Sequence, residues 1–300
     1  MDVNKFKDIW DSSIDGAIKN IEEGKHLSKF KIKPVPPKEF FEIWLKQPLF
    51  PMQYEVLNQV FTNGYMDWNT SINEIVLGWG EGAGKDYTIV RTLVYVCYWL
   101  CCLNNAQEYF KIGVNTPIVI SNMSVNEDHA VNVFFSQFTT CLKSVINPAT
   151  GKNFFEELGV DLREGKDVQT RRVKLSNQVE AYSLDSARYA GEGKNILFAV
   201  FDEIAEFRFD KAKQRYENLK NTAFSRFPEY YKIAMISYPR DEYDFLMTRM
   251  KEVQNLPEEL KSRVYVKVAS PWEVRSKEGA HPVLIEKRLY RTKTDYIQVY

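Results

Sequence analysis

Short runs of consecutive apolar residues, each bounded by polar or glycine-rich segments, recur along this 300-residue chain. Ile75-Val76-Leu77, Pro117–Ile120, Ile196–Phe201 and Ile233–Ile236 read as short strands. A strand buried on both faces is apolar throughout, whereas a half-exposed one alternates. Arg172–Ser183 alternates in the manner of a hairpin strand, and Arg263–Ala269 alternates as well. Helical stretches separate these runs. One extends from the glycines after Leu77 through Leu103, another covers Glu127–Ile146, and Pro282–Tyr290 predicts a last one. Buried strands alternating with helices predict an α/β fold with a mainly parallel central sheet flanked by helices.

The N-terminal region has a different pattern. Phe6, Ile9, Trp10, Ile14, Ala17, Ile18 and Ile21 recur at helical spacing and predict an arm reaching to about residue 33. Its end carries Lys25, Lys29, Lys31 and Lys33, which read as a solvated face, with DNA contact as the alternative. Pro34, Pro36 and Pro37 then disfavour a continued helix and mark a joint. The chain therefore divides into an arm and linker (1–37), an α/β core (38–270) and a C-terminal segment (271–300). No internal repeat or low-complexity segment interrupts this order.

Composition narrows the class. Forty basic residues balance forty acidic ones, so bulk charge does not drive binding to nucleic acid, although a local basic patch is still open. Such a patch is suggested by Lys166, Arg171, Arg172 and Lys174, which a solvated hairpin tip explains equally well. Cys97, Cys101, Cys102 and Cys141 lack paired metal-ligand spacing and read as buried, reduced thiols of a cytosolic protein. The longest apolar stretch, Thr92–Leu103, is well short of the ~18–20 residues of a membrane span. The first residues lack the apolar centre of a signal peptide.

Two segments carry chemistry. Gly78-Trp79-Gly80-Glu81-Gly82-Ala83-Gly84-Lys85-Asp86 stands between an apolar run and a helix, the setting of a phosphate-binding loop. Glycines allow backbone N–H groups to turn inward around phosphate oxygens, and the helix start adds a favourable partial charge. Lys85 would reach the β- and γ-phosphates. Against the pattern GxxxxGK[ST], Trp79 replaces the first Gly and Asp86 the hydroxyl residue. Asp86 can still hold Mg²⁺, directly or through water, because carboxylate oxygen suits a hard cation. Taken alone, the segment also reads as a Gly-rich turn capped by Asp86.

The apolar run Ile196–Phe201 leads directly into Asp202-Glu203. Acids at a strand's C-terminal end lie where open α/β sheets bind ligands. The first acid would hold Mg²⁺ and the second would polarise the attacking water as general base. Acids after a strand also cap turns, but a phosphate loop upstream in the same chain favours ATP hydrolysis. Gln53, in Phe50-Pro51-Met52-Gln53, offers an amide able to pair with adenine, although a Gln in a loop says little on its own.

This ordered set resembles the N-terminal packaging ATPase of the large terminase subunit of tailed bacteriophages. The order is an adenine-side Gln53, a GWGEGAGKD loop, the stretch Arg188-Tyr189-Ala190-Gly191, FDEIAEF, and a coupling segment Ser237-Tyr238-Pro239. The resemblance spans about residues 40 to 270, by motif order rather than continuous similarity. It implies an ASCE-type P-loop NTPase core acting as a motor that hydrolyses ATP to drive double-stranded DNA into a capsid. The ATP site would comprise Gln53, Gly80, Glu81, Gly82, Ala83, Gly84, Lys85, Asp86 and Tyr87, with Glu203 catalytic and Mg²⁺ shared by Asp86 and Asp202.

Further implications concern assembly. Arg188 would be an arginine finger reaching a neighbouring subunit's γ-phosphate, and Ser237 would couple hydrolysis to movement. A surface arginine paired with Asp185 or Glu192 is the competing reading of Arg188. Partners implied are duplex DNA, a portal protein, a small terminase subunit and other copies in a ring, in this family usually a pentamer, with no membrane. The setting would be the host cytoplasm, with transient docking on the procapsid portal and no place in the mature virion. The family's nuclease domain is not expected here, since about thirty residues follow Ala269; an excised ATPase domain is the favoured explanation. A helicase or translocase of another P-loop lineage would need a second core that about sixty residues beyond the coupling segment cannot supply. A non-hydrolysing nucleotide-binding assembly module fits poorly with the presence of both Lys85 and Glu203. The strand feeding the phosphate loop is expected beside the strand ending at Asp202.

Overall fold

The computed structural model describes residues 29–125, 130–184 and 191–275. A small antiparallel ribbon, β1 (Phe61–Thr62) and β2 (Asp67–Trp68), precedes the main sheet. The sheet is built from β3 (Glu74–Trp79), β4 (Ile118–Met123), β5 (Val168–Gln169), β6 (Arg172–Lys174), β7 (Val179–Leu184), β8 (Ile196–Asp202), β9 (Lys232–Ser237) and β10 (Val264–Ala269). Among the described residues these strands lie in the order β10-β3-β9-β8-β4-β7-β6-β5. All neighbours from β10 to β7 are parallel, and β6 and β5 extend the sheet antiparallel.

The apolar runs of the sequence are the central strands. Every residue of β3, β4, β8 and β9 is buried, which a continuous run requires when helices cover both faces. The connection from β3 to β4 crosses the sheet in one direction, and those from β8 to β9 and β9 to β10 return in the other. Right-handed crossovers then put the intervening helices on opposite faces. Helix Lys85–Cys102 packs against β7 and β9, helix Phe209–Arg226 against β8, and helix Phe245–Gln254 against β3.

Helix Lys85–Cys102 is the centre of the core. From Thr88 to Cys102 every residue is buried, as expected of a helix that is apolar all round. Its aromatic side chains find partners for their polar ends. Tyr95 Oη donates to the Val35 carbonyl at 2.8 Å, Tyr98 Oη accepts the Val35 amide at 3.0 Å, and Trp99 Nε1 donates to the Tyr65 carbonyl at 2.9 Å. Among the described residues no helix is long and apolar enough to cross a membrane.

The structure changes several sequence expectations. The most consequential is that β9 lies between the phosphate-loop strand β3 and the Asp202 strand β8, so these two are not neighbours. Strands are about 4.8 Å apart, and the Lys85 ammonium nevertheless lies 3.4 Å from Glu203 Oε1, just after β8. The alternating stretch Arg172–Ser183 is both arms of a hairpin, β6 and β7, joined through a 3₁₀ turn at Ser176–Gln178. In the stretch expected to be one helix over Glu127–Ile146, a π-helical turn Ala130–Phe135 precedes the α-helix Ser136–Lys143. Lys29 is not wholly solvated, because it pairs with Asp67, and Phe30 bridges to Leu103 against the core. Most of the predicted arm and the Pro282–Tyr290 helix lie outside the described residues.

Candidate active site

The chain leaves the sheet at Trp79 and turns through residues 80–84 before the Lys85–Cys102 helix begins. Gly82 and Gly84 have φ of +77° and +81°. A side chain is strained there, which is why the turn uses glycine. The Ala83 amide donates to the Gly80 carbonyl at 3.1 Å, and the Gly80 amide donates to the Ala269 carbonyl at 3.0 Å, tying the loop to the end of β10. Thr88 returns to the Gly84 carbonyl with its amide (2.9 Å) and its hydroxyl (2.7 Å). Glu81 and Gly82 are exposed, Ala83 and Lys85 buried, and Asp86 and Tyr87 half-buried. The helix start behind this loop presents N–H groups without intrahelical partners, the basis of an anion site.

Parallel register delivers the acids to the same edge. Gly78 of β3 is level with Ser237 of β9, and Ile236 is level with Asp202 of β8. Asp202 is fully buried, and its Oδ2 accepts the Ser124 hydroxyl at 2.8 Å. Glu203 follows with φ +50° and ψ +48°. A non-glycine residue in this region costs about 1–3 kcal/mol and persists only where its surroundings hold it. The Lys85 ammonium lies 3.4 Å from Glu203 Oε1. On the other oxygen, Glu203 Oε2 accepts the Ser237 hydroxyl at 2.8 Å.

Asp86, Asp202 and Glu203 offer carboxylate oxygens that all lie within 4.8 Å of one another. Like charges about 4 Å apart repel by about 4 kcal/mol at an effective dielectric near 20. A divalent cation relieves that repulsion, and one or two carboxylates completed by water and substrate phosphates are the usual ligands of Mg²⁺. The donor set therefore fits a metal held by Asp86 and Asp202, with Glu203 at its side.

The adenine-side expectation meets a more specific arrangement. Gln53 is 2% exposed, on the first turn of helix Pro51–Val60, where its Oε1 accepts the Phe50 amide at 2.9 Å. Its Nε2 lies against the phosphate loop, since a Cβ on Gly84 would stand 3.1 Å from it. Tyr87 Oη donates to the Pro48 carbonyl at 3.2 Å. The Arg91 guanidinium covers the Tyr87 ring 3.6 Å from its centre and donates to Gln47 Oε1. The 47–53 segment and the start of the loop helix are thus one packed unit.

Lys85, Asp86, Asp202, Glu203 and Ser237 come together, and Gln53 abuts the loop beside them. Arg188 lies outside the described residues. Of the basic stretch, Arg172 is paired with Glu180 on the antiparallel hairpin. Sequence reasoning missed Ser124. No spacing announces it, because only the pairing of Met123 with Phe201 across β4 and β8 puts the next residue beside Asp202. It also passed over Glu206. Tyr238 Oη donates to Glu206 Oε1 at 3.1 Å, and the Arg240 guanidinium donates to Oε2 at 3.0 Å.

Known proteins resemble this chain in sequence or in fold. A family model described as the N-terminal P-loop domain of uncharacterized protein MJ0330 matches residues 6–283. The uncharacterized protein MJ0330 of Methanocaldococcus jannaschii is 25% identical over 174 residues, covering 56% of this chain and 29% of that protein. The chain thus spans under a third of the curated relative it matches. Among solved structures, the HK97 bacteriophage large terminase superposes with a TM-score of 0.56 at 16% identity, over 87% of this chain and 51% of that one. A large terminase from a thermophilic bacteriophage, in complex with ADP, has a TM-score of 0.49 at 12% identity, over 84% and 50% of the two chains. The fold is an α/β P-loop fold that the HK97 large terminase shares, and the chain belongs to the MJ0330 N-terminal P-loop domain family.

Proposed function

We propose that this chain is an ATP-hydrolysing motor of the large-terminase type, the subunit that drives double-stranded DNA into a viral capsid. The observation that carries the reading is the meeting of Lys85 with Glu203, 3.4 Å apart, beside Asp86 and Asp202. A phosphate-loop lysine, two candidate metal-binding acids and a further carboxylate are the parts phosphoryl transfer to water requires. In this assignment Lys85 holds the β- and γ-phosphates, Gln53 and Tyr87 flank the base side, and Asp86 and Asp202 hold Mg²⁺. The metal, when bound, would neutralise charge on the phosphates. Glu203 accepts a proton from the attacking water, and Ser237 ties it to β9.

The fold likeness to a phage terminase supports the packaging role. Duplex DNA, a portal protein, a small terminase subunit and a ring of copies belong to this proposal, as does action in the host cytoplasm. Arg188, as a donated finger, is part of it too. Phosphate release from MgATP by the 300-residue chain, with and without duplex DNA, tests the reading. Turnover stimulated by duplex DNA is expected. Nucleotide binding with no turnover under either condition would leave an assembly module instead.

A further inference from the structure

Glu203 sits at the head of a strained turn, and the segment after β9 grips that turn at its far end as well. The turn Ile204–Glu206 closes with the Glu206 amide donating to the Glu203 carbonyl at 2.9 Å. The Glu206 carboxylate then receives two donors from one segment: Tyr238 Oη on Oε1 at 3.1 Å and Arg240 Nη1 on Oε2 at 3.0 Å. That segment is itself anchored. The Arg240 amide donates to Asp244 Oδ2 at 2.8 Å, while Asp244 Oδ1 accepts the Met247 amide at 2.8 Å and caps helix Phe245–Gln254. The Tyr238 ring also stands 5.7 Å from the Lys85 ammonium.

We propose that Tyr238 and Arg240, acting through Glu206, are positioning residues that hold Glu203 in its left-handed conformation and aim its carboxylate at the attacking water. The inference rests on Glu203 being the general base. Ser237 orients the carboxylate from one side, but a hydroxyl on one oxygen does not keep the backbone in a disfavoured region. The backbone is fixed by the Glu206 amide, and Glu206 is fixed by Tyr238 and Arg240. Arg240 is 47% exposed and Glu206 31%, so the pair adds little to global stability. Its significance is its position against the catalytic turn. Because Tyr238 and Arg240 follow closely on Ser237, any displacement of β9's end moves both the orientation and the backbone support of Glu203 together.

Steady-state ATPase of the full chain on MgATP, with ADP affinity and melting temperature measured in parallel, tests this. Glu206→Gln and Arg240→Gln should each lower kcat about tenfold or more, the scale on which small misplacements act. KM, ADP affinity and melting temperature should stay close to wild type. Arg240→Lys, which keeps a cation for Glu206, should recover most of kcat. The double variant Glu206→Gln/Arg240→Gln should be no slower than the slower single one, since both changes break one contact. Unchanged kcat in the single variants, loss confined to KM, or fully additive losses would overturn the positioning role while leaving the ATPase reading intact. Absence of turnover in the wild type would instead overturn the ATPase reading, and this inference with it.

Discussion

The Ser237 hydroxyl, at the end of β9, donates to Glu203 Oε2 at 2.8 Å across the boundary with β8. A residue picked out as the coupling element therefore touches the proposed base itself. Ser237→Ala leaves that oxygen without this donor, so that among the described residues the Lys85 ammonium alone orients the carboxylate by direct side-chain contact. The expected outcome is a kcat for MgATP lowered about tenfold with ADP affinity retained, one hydrogen bond being worth about 1 kcal/mol or somewhat more to a charged group. Threonine at 237 should restore much of the rate. A full wild-type rate in the alanine variant would remove Ser237 from the site.

Lys85 and Glu203 face each other but should separate cleanly by measurement. Lys85→Ala removes the cation meant for phosphate, so affinity for ATP and ADP should fall along with turnover. Glu203→Gln keeps the shape of the side chain and removes its basicity. It should bind MgATP at least as well as wild type while hydrolysis drops by about 10²–10⁴-fold, the range for a general base. Equilibrium binding of a fluorescent nucleotide alongside phosphate release reads both. Equal loss of binding in the two variants contradicts the assignment.

A donated Arg188 predicts complementation. Subunits carrying Arg188→Ala mixed with subunits carrying Glu203→Gln form some interfaces with both groups intact. ATPase activity of the mixture should exceed that of either variant alone. Demonstrated mixed assembly without recovery assigns Arg188 to its own subunit or to the surface.

At the opposite end of β3, Glu74 is 3% exposed and bound by Lys220 at 2.6 Å and Arg249 at 2.9 Å. Burial by itself would raise its carboxyl, but Arg249 and Lys220 overcome this and hold it below the ordinary value of 4.5. A carboxyl depressed in the folded state lends stability above its unfolded value, and that stability is lost as pH falls through the folded value. Thermal stability should therefore decline below about pH 4.5. Glu74→Gln should cost about 3–5 kcal/mol at neutral pH by stranding buried cations, and should flatten the acid limb. An unchanged acid limb in denaturation curves would show that Glu74 is not its source.

The four cysteines are all buried and free. Burial raises each thiol, with Cys101 pushed up to about 11 and Cys97, Cys102 and Cys141 also above the ordinary value of 9.0. Since the thiolate is the reactive form, native protein should resist maleimide at neutral pH and label fully only when unfolded. Labelling of any of them at the rate of a free thiol would show an opening of the core around helix Lys85–Cys102 or Ser136–Lys143.

Much of this was legible in the linear chain. Continuous apolar runs at Ile75-Val76-Leu77, Ile196–Phe201 and Ile233–Ile236 mark central strands, because only strands covered on both faces dispense with alternation. The glycines before Lys85 announce a turn with positive φ, and Asp202-Glu203 directly after an apolar run announces acids at a strand's end. Such signals are local, since backbone sterics and burial act over a few neighbouring residues.

Only the tertiary structure decided the rest, because strand order is set by crossovers between distant segments. It inserted β9 between β3 and β8 and so put Ser237 on Glu203, where sequence reasoning expected the two outer strands side by side. It brought Ser124 to Asp202 and Arg240 to Glu206 across separations of 78 and 34 residues. Neither pair has a motif, for a serine or an arginine in a polar segment looks the same in sequence whether it faces water or a catalytic acid. The sequence determined which groups could do phosphate chemistry. The sheet's order determined which of them meet, because hydrogen bonds and ion pairs act over a few ångströms while the chain separates their partners by tens of residues.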